Sequence, residues 1–500
     1  MEHRRGRWWW WFALALVASG ALEIRLARLD AEPFWLDEVC TWNFNAGTLS
    51  SVVRSYAADV HPPLYGVLLH LWSRAFGHSE AALRSLSVPL SILGLICVVL
   101  LVLDMTGDRW AALAAGVMLA VNPLDTWHAR DARMYTLTAT LATAAACVLW
   151  LWLQRAQSGM PRKRLAAAYA LLATLLLYSH YLGSLLLGAQ VLGGLVLFSL
   201  HRRWRDSAYL LSAAAAACLL FAPWAAYVFR FRSTLANVAA RVGWIPIPRL
   251  PDVFAYLNHE FFLGFGNPPS TAASWFPVAS GGLLAVAVIA ALSLGPVPQD
   301  SPGRRSHEGL ALMLWLALGP ALVAATVSRV WHPVYFPPRF SLFCLGPGVV
   351  ALFVMLEPVR PPLRTALIAG LTALMATGAV WQAAVPTNQG LREMSSLAHV
   401  FGEPDDAFMI PSPHPLLVRY YLPHARLEPS KKELSSRLRS GKTAVVWVCL
   451  GDGQLPPPAS ADGQLVAWLA TTGAYRRLGW ADGFLVYELR AGVRRVAAVR

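Results

Sequence analysis

Residues 85–103 read SLSVPLSILGLICVVLLVL, nineteen consecutive positions without a charged side chain. About twenty apolar residues cross a bilayer as a helix, because hydrocarbon offers the backbone no partner and every amide must bond within its own segment. The stretch therefore predicts a membrane-spanning helix over roughly 81–103. Working outward, similar runs lie near 8–28, 110–121, 134–153, 165–178, 182–200, 207–229, 274–295, 310–329, 340–356 and 365–385. The expected fold class is a polytopic α-helical membrane protein with about eleven transmembrane helices. Composition agrees: 56% of the 500 residues are hydrophobic and 14% charged, too few polar groups to clothe a soluble enzyme of this size.

The net charge of +14 does not point to nucleic acid, because the basic residues are scattered between apolar runs instead of gathered on one soluble face. Membrane lipids with anionic phosphates are the better partner. If the N-terminus is cytoplasmic, the inner segments hold Arg4, Arg5, Arg7, Arg109, Arg155, Arg162, Lys163, Arg164, Arg202, Arg203, Arg205, Arg304, Arg305, Arg360 and Arg364. That side is the denser in Arg and Lys, so the N-terminus is expected inside and, after an odd number of spans, the C-terminus outside. Arg4-Arg5-Gly6-Arg7 before Trp8 to Ala18 has the outline of a signal peptide, but with ten further spans an uncleaved first helix is expected. The six cysteines form no disulfide framework.

Charge density nearly doubles after residue 385. Residues 1–385 are expected to form the membrane domain and 386–500 a small extracytoplasmic α/β domain, with a helix over 391–401 and strands at 407–410, 444–449 and 484–489.

The informative chemistry lies in the outer loops. The first, about 29–80, carries Asp30, Glu32, Asp37, Glu38, Asp59, His61 and Tyr65. Adjacent acids diverge by about 100° on a helix and 180° on a strand, so Asp37 and Glu38 cannot serve one proton-transfer target; one can face a substrate while the other is held by a neighbour. Phe34, Trp35, Leu36 and Val39 surround the pair with apolar groups beside the lipid surface, where a carboxylate is costly to desolvate. Ser51 to Tyr56 and Leu64 to Phe76 read as short interfacial helices, the second stiffened at its start by Pro62 and Pro63. His61 is open between a cap, a solvated residue and a substrate or metal ligand.

The second outer loop includes Asn122-Pro123, then Arg130-Asp131-Ala132-Arg133-Met134-Tyr135. Arg130 and Arg133 share a face if the fourth span has already begun there. An Arg–Asp pair capping a helix is the structural rival. Yet arginines outside run against the charge bias, and the same holds for Arg230, Arg232, Arg241 and Arg339; guanidinium groups at headgroup depth match phosphate bidentately. His180 and Tyr181 form a tight outer turn and are second-tier candidates. No Gly-rich phosphate loop, His-Glu metalloprotease pattern or Cys-based zinc spacing occurs, so no cofactor is required by the sequence, and a divalent metal remains compatible with it.

Outer acids, outer arginines and lipid depth together point to chemistry on a lipid-linked phosphate. The rival is a transporter or flippase of lipid-linked sugars that makes no bond, but such proteins place ionisable groups near the midplane, whereas here nearly all charges sit at span ends.

Asp37-Glu38 after the first span, His61-Pro62-Pro63-Leu64-Tyr65, Arg84, Asn122-Pro123 and Arg130 to Tyr135 resemble the bacterial branch of the protein O-mannosyltransferase and aminoarabinose-transferase-like glycosyltransferases. His180-Tyr181, Pro338-Arg339-Phe340, Arg392 and the Asp405 to Ile410 strand are similar too. The resemblance implies a GT-C fold in the bacterial inner membrane and a polyprenyl-phosphate sugar as donor. It implies inverting transfer to a lipid, glycan or protein acceptor, with Asp37 as general base and Asp131 as a second loop acid. The chain departs from these relatives at Asp131, where many have Glu, and at Val60-His61, where the aminoarabinose transferases have an acid followed by Lys.

Overall fold

The computed structural model describes residues 2–59, 61–155, 162–230, 247–266, 268–293, 303–331, 333–335, 337–384, 407–410, 419–421, 426–427, 431–439, 444–449, 460–471, 475–481 and 484–489. It divides into two units: Met1–Leu29 with Phe44–Val385, and Asp30–Asn43 with Pro386–Arg500.

The first unit is helical. Among the described residues eight helices are long and apolar enough to cross a membrane: Trp8–Leu26, Glu80–Thr106, Tyr135–Gln154, Gly183–Leu200, Trp204–Phe229, His307–Val330, Arg339–Leu356 and Pro361–Ala384. The chain is a multi-pass membrane protein. The other three expected spans coincide with helices that fall short. Arg109–Ala120 has 12 residues and Phe276–Leu292 has 17, and Arg162–Ser179 opens on Arg162, Lys163 and Arg164. Twelve residues rise only about 18 Å, well under a hydrocarbon core of about 30 Å.

The reversal between the second span and Arg109–Ala120 is set locally. Gly107 closes the first helix at φ +70°, and Asp108 opens the next by accepting from the amides of Trp110 and Ala111. The interfacial helices lie at Leu49–Ala57 and Leu64–Phe76. A helix the periodicity did not reveal, Leu250–Leu263, packs against Pro337–Leu356 and Pro361–Ala384. Gly378 admits that packing: a Cβ there would stand 1.7 Å from the Phe262 carbonyl oxygen.

Arg25, wholly buried near the end of the first span, ties that helix to three others. It donates to Ser91 Oγ (2.7 Å), to the carbonyls of Ala21, Leu119 and Ala120, and to the Asp125 carboxylate. Ser91 Oγ also donates to Asp125 Oδ2 at 2.8 Å.

The second unit contains a five-stranded sheet of order β2-β1-β3-β5-β4, with β1 Ala407–Ile410, β2 Arg426–Leu427, β3 Ala444–Cys449, β4 Tyr475–Ala481 and β5 Phe484–Leu489. β1 runs parallel to β2 and β3; β5 is antiparallel to both β3 and β4. The expected helix over 391–401 and Arg392 lie outside the described residues. The unit also takes in residues 30–43, which the composition change alone could not assign to it. The Phe34 amide donates to the Tyr421 hydroxyl, and the rings of Phe34 and Trp42 lie 5.0 and 4.9 Å from that of Tyr420.

Candidate active site

In the first unit the loop after Asn122 builds the centre of the site. Asn122 Oδ1 accepts the Asp125 amide at 3.0 Å and Pro123 supplies the first helical φ, so a short helix Pro123–His128 forms and stops. Turns follow: the Arg130 amide donates to Trp127 O and the Asp131 amide to His128 O. The fourth span starts only at Tyr135, so Arg130 and Arg133 share no helical face. They part instead. Arg130 donates to the Ile24 carbonyl, while Arg133 is buried with its guanidinium carbon 5.8 Å from the Tyr135 ring centroid.

Arg339, in the first turn of Pro337–Leu356, comes to the same ring from the far end of the sequence, 4.9 Å from its centroid. Stacking on an aromatic face orients both cations.

Two histidines stand beside this ring. His180 lies 5.9 Å from Tyr135 and 5.2 Å from His61, centroid to centroid. His61 Nδ1 is 3.0 Å from Asp59 Oδ2. His180 Nδ1 accepts the Leu182 amide at 3.0 Å, so in the neutral ring the proton sits on Nε2, a buried atom with no hydrogen-bond partner among the described residues. Burial holds His61 below the ordinary histidine range; the Asp59 hydrogen bond opposes this and the charge of Arg133 adds to it. His180 is held well below, by burial first and then by His61, Arg339 and Arg133. Both are neutral at pH 7, so neither ring adds a positive charge to the site, though the Nε2–H of His180 can still donate a hydrogen bond to an anion.

The remaining expected residues are placed as follows. Asp131 is buried, with Oδ2 3.8 Å from His128 Nδ1, and its carbonyl accepts from Ser87 Oγ at 2.7 Å. The Tyr65 hydroxyl is 3.2 Å from that same Ser87 Oγ, which joins Tyr65 to the Asp131 carbonyl. The Tyr181 hydroxyl accepts from Trp224 Nε1, which turns it away toward Trp204–Phe229. Arg232 and Arg241 lie outside the described residues.

Asp37 and Glu38 lie in the second unit, in the first turn of Leu36–Phe44. Glu38 is buried and its Oε2 accepts the Trp35 amide at 3.3 Å, capping the helix. Asp37 is half-buried, and its carbonyl accepts from Thr41 Oγ1. The two acids are thus in different settings, one turned back to the backbone.

Sequence reasoning passed over Arg25, Asp125, His128, Glu260 and Tyr335. Arg25 had a signal, an ionisable residue inside an apolar run. Glu260 had none, because its helix was read as loop. Among the described residues no group of three or more His, Cys, Asp or Glu side chains converges in a way that could hold a metal ion.

Comparison with known proteins places these features in context. Residues 60–227 match the family described as dolichyl-phosphate-mannose-protein mannosyltransferase. No curated protein matches the chain. Among solved structures, ArnT from Cupriavidus metallidurans in the apo state is similar at 14% identity and TM-score 0.49, over 95% of this chain and 97% of that one. The S. cerevisiae protein O-mannosyltransferase Pmt1-Pmt2 complex bound to the sugar donor shows 18% identity and TM-score 0.34, over 45% and 34%. The Archaeoglobus fulgidus oligosaccharyltransferase in complex with Zn and sulfate shows 12% and 0.47, over 87% and 67%. The family match falls on the segment that carries His61, Asp131, Arg133, Tyr135 and His180, and there the resemblance to GT-C glycosyltransferases read from the sequence stands.

Proposed function

We propose that this protein transfers a sugar from a polyprenyl-phosphate-linked donor to an acceptor hydroxyl at the extracytoplasmic face of a bacterial inner membrane. The observation that carries the reading is the pair of cations on one ring: Arg133 and Arg339 seated over Tyr135, with neutral His61 and His180 alongside. Guanidinium groups match phosphate bidentately, and a lipid phosphate at the membrane surface is the anion this reading gives them.

The reaction balances without nucleotide. The acceptor oxygen bonds to the anomeric carbon as the bond from that carbon to the phosphate oxygen breaks, with inversion. The acceptor proton passes to Asp37 and the electron pair to the lipid phosphate. Arg133 and Arg339 stabilise that phosphate most as it gains charge, which is where binding energy accelerates a reaction. For Asp37 the support is its place in the Asp37-Glu38 pair after the first span, the position in which the resembling transferases carry their base. Asp131, close to His128, is the second loop acid of this reading.

The test is to incubate the detergent-purified full chain with undecaprenyl-phosphate sugars and an acceptor, and to follow release of undecaprenyl phosphate. Release that depends on acceptor and is lost in Arg339→Ala supports the reading. Binding of the sugar lipid with no bond cleavage across a panel of sugars and acceptors refutes it.

A further inference from the structure

Gly183–Leu200 starts three residues after His180 and crosses away from it, packed on His307–Val330. Near its far end, in the leaflet opposite the Tyr135 ring, a groove of about 290 Å³ lies between these two helices. Leu192, Val196 and Leu197 line it from one side and Ala311, Leu312 and Trp315 from the other. Gly193 brings that second wall close: a Cβ there would stand 2.8 Å from Leu312 Cδ1 and 3.1 Å from Trp315 Cδ1. Trp315 Nε1, the single polar side-chain atom in the lining, donates to the Ala189 carbonyl at 2.7 Å. The groove therefore presents apolar surface without a free side-chain hydrogen bond, which suits hydrocarbon and penalises a polar ligand.

One turn beyond the groove the same two helices are clasped by His201 Nε2 and Glu308 Oε1, 2.9 Å apart. The next acid along the chain, Asp206, accepts from Arg203 and Arg162, both at 2.9 Å. Both acids of this corner thus have basic partners, whereas Arg202 and Arg205 are exposed and their guanidinium groups have no partner among the described residues. The charge left over is positive. Arg202 also stands in an unusual place. The Arg203 amide donates to Phe198 O and the Arg202 amide to Ser199 O, the bonding of a Schellman helix end, which requires a left-handed residue at position 202. Glycine is the usual occupant; here an arginine takes φ +54° at the groove's end.

We propose that this corner binds an anionic phospholipid of the leaflet opposite the candidate active site, with an acyl chain along the groove and the headgroup phosphate at Arg202. The proposal does not depend on sugar transfer. Charge complementarity selects the occupant: an apolar slot that ends at an unshared guanidinium matches a hydrocarbon chain that ends at a phosphate, and a headgroup with net negative charge gains more there than a zwitterionic one, whose ammonium the surplus arginines oppose. Trp204, 64% exposed between Arg202 and Arg205, sits as aromatic residues do at headgroup depth. A segment of another protein helix, about 10 Å across, is a poorer match to a narrow slot between two helices already in contact.

The experiment is native mass spectrometry of the detergent-purified full chain with added phosphatidylglycerol or phosphatidylcholine of equal chain length. The wild type should hold one phosphatidylglycerol about fivefold more tightly than phosphatidylcholine, the worth of one basic residue at a lipid surface. Arg202→Gly, which suits the left-handed turn, should melt no lower than the wild type and yet lose that preference, while Arg202→Lys should keep part of it. Val196→Trp fills the groove and should weaken both lipids. Arg339→Ala should leave the preference as it is; its loss there would assign the lipid to the candidate active site and overturn the proposal. Equal wild-type affinities for the two lipids, a full preference retained in Arg202→Gly, or unaltered binding in Val196→Trp would each overturn it as well.

Discussion

The guanidinium of Arg339 lies over the ring of Tyr135, 4.9 Å from its centroid, and Arg133 approaches the same ring at 5.8 Å. One aromatic face orients both cations. Tyr135→Leu should weaken undecaprenyl phosphate binding by about three- to tenfold, the worth of partly desolvated cation–π contacts, whereas Tyr135→Phe should bind nearly as wild type. Titration of the purified variants checks this; a loss in Tyr135→Phe equal to that in Tyr135→Leu would assign the effect to the hydroxyl.

Asp37→Asn keeps the size of the side chain and removes its basicity. Transfer should fall by about 10²–10⁴-fold with undecaprenyl phosphate binding unchanged. Turnover near that of the wild type would remove Asp37 from the reaction.

The histidines give a pH dependence. His61 and His180 have depressed values, so the unfolded chain binds protons that the folded one does not; their contribution to stability is complete above the unfolded value of about 6.5 and declines as pH falls below it. Thermal unfolding in detergent should therefore come earlier at pH 5.5 than at pH 7.5, and His180→Gln should flatten the trend. Phosphate acts in the opposite sense, because an anion favours protonated rings: its affinity should rise as pH falls, by a smaller factor in His180→Gln. Equal slopes in wild type and variant would exclude His180 as the titrating group.

Asp125 is the only carboxylate that the described hydrogen bonds give to buried Arg25. Asp125→Ala leaves that cation among carbonyls and a hydroxyl, and should destabilise the first unit by about 3–5 kcal/mol. Denaturant unfolding in detergent measures the loss, and Asp125→Asn, which keeps an acceptor, should recover part of it.

Gly378→Ala places a methyl 1.7 Å from the Phe262 carbonyl oxygen and 2.9 Å from its carbon, both backbone atoms that cannot rotate aside. It should cost at least about 1–3 kcal/mol. Unchanged stability would show that Leu250–Leu263 can slide along Pro361–Ala384.

The helical plan was legible because lipid forces it: runs such as 85–103 and Tyr135 to Gln154 admit no other backbone solution. The interfacial helix Leu64–Phe76 was legible from its two-sided pattern and the prolines before it. Less visible was which residues meet. Arg133 and Arg339 share a ring only through tertiary packing, and His180, second-tier as an isolated His-Tyr turn, gains its meaning from His61 at 5.2 Å. Arg130, equal to Arg133 in the loop as read, is drawn to the end of the first span because the turns after His128 send the two side chains apart. Leu250–Leu263 was missed since its apolar run is broken by Asp252, Asn258, His259 and Glu260, and with it went Glu260.

The pairing of residues 30–43 with the tail has a consequence for biosynthesis. The segment bearing Asp37 leaves the ribosome about 380 residues before Tyr420 and Tyr421, on which Phe34 and Trp42 settle. Through all of that interval the acidic segment waits for its support. A nascent chain stalled before residue 386 would carry every helix of the first unit and still lack the platform for its proposed base.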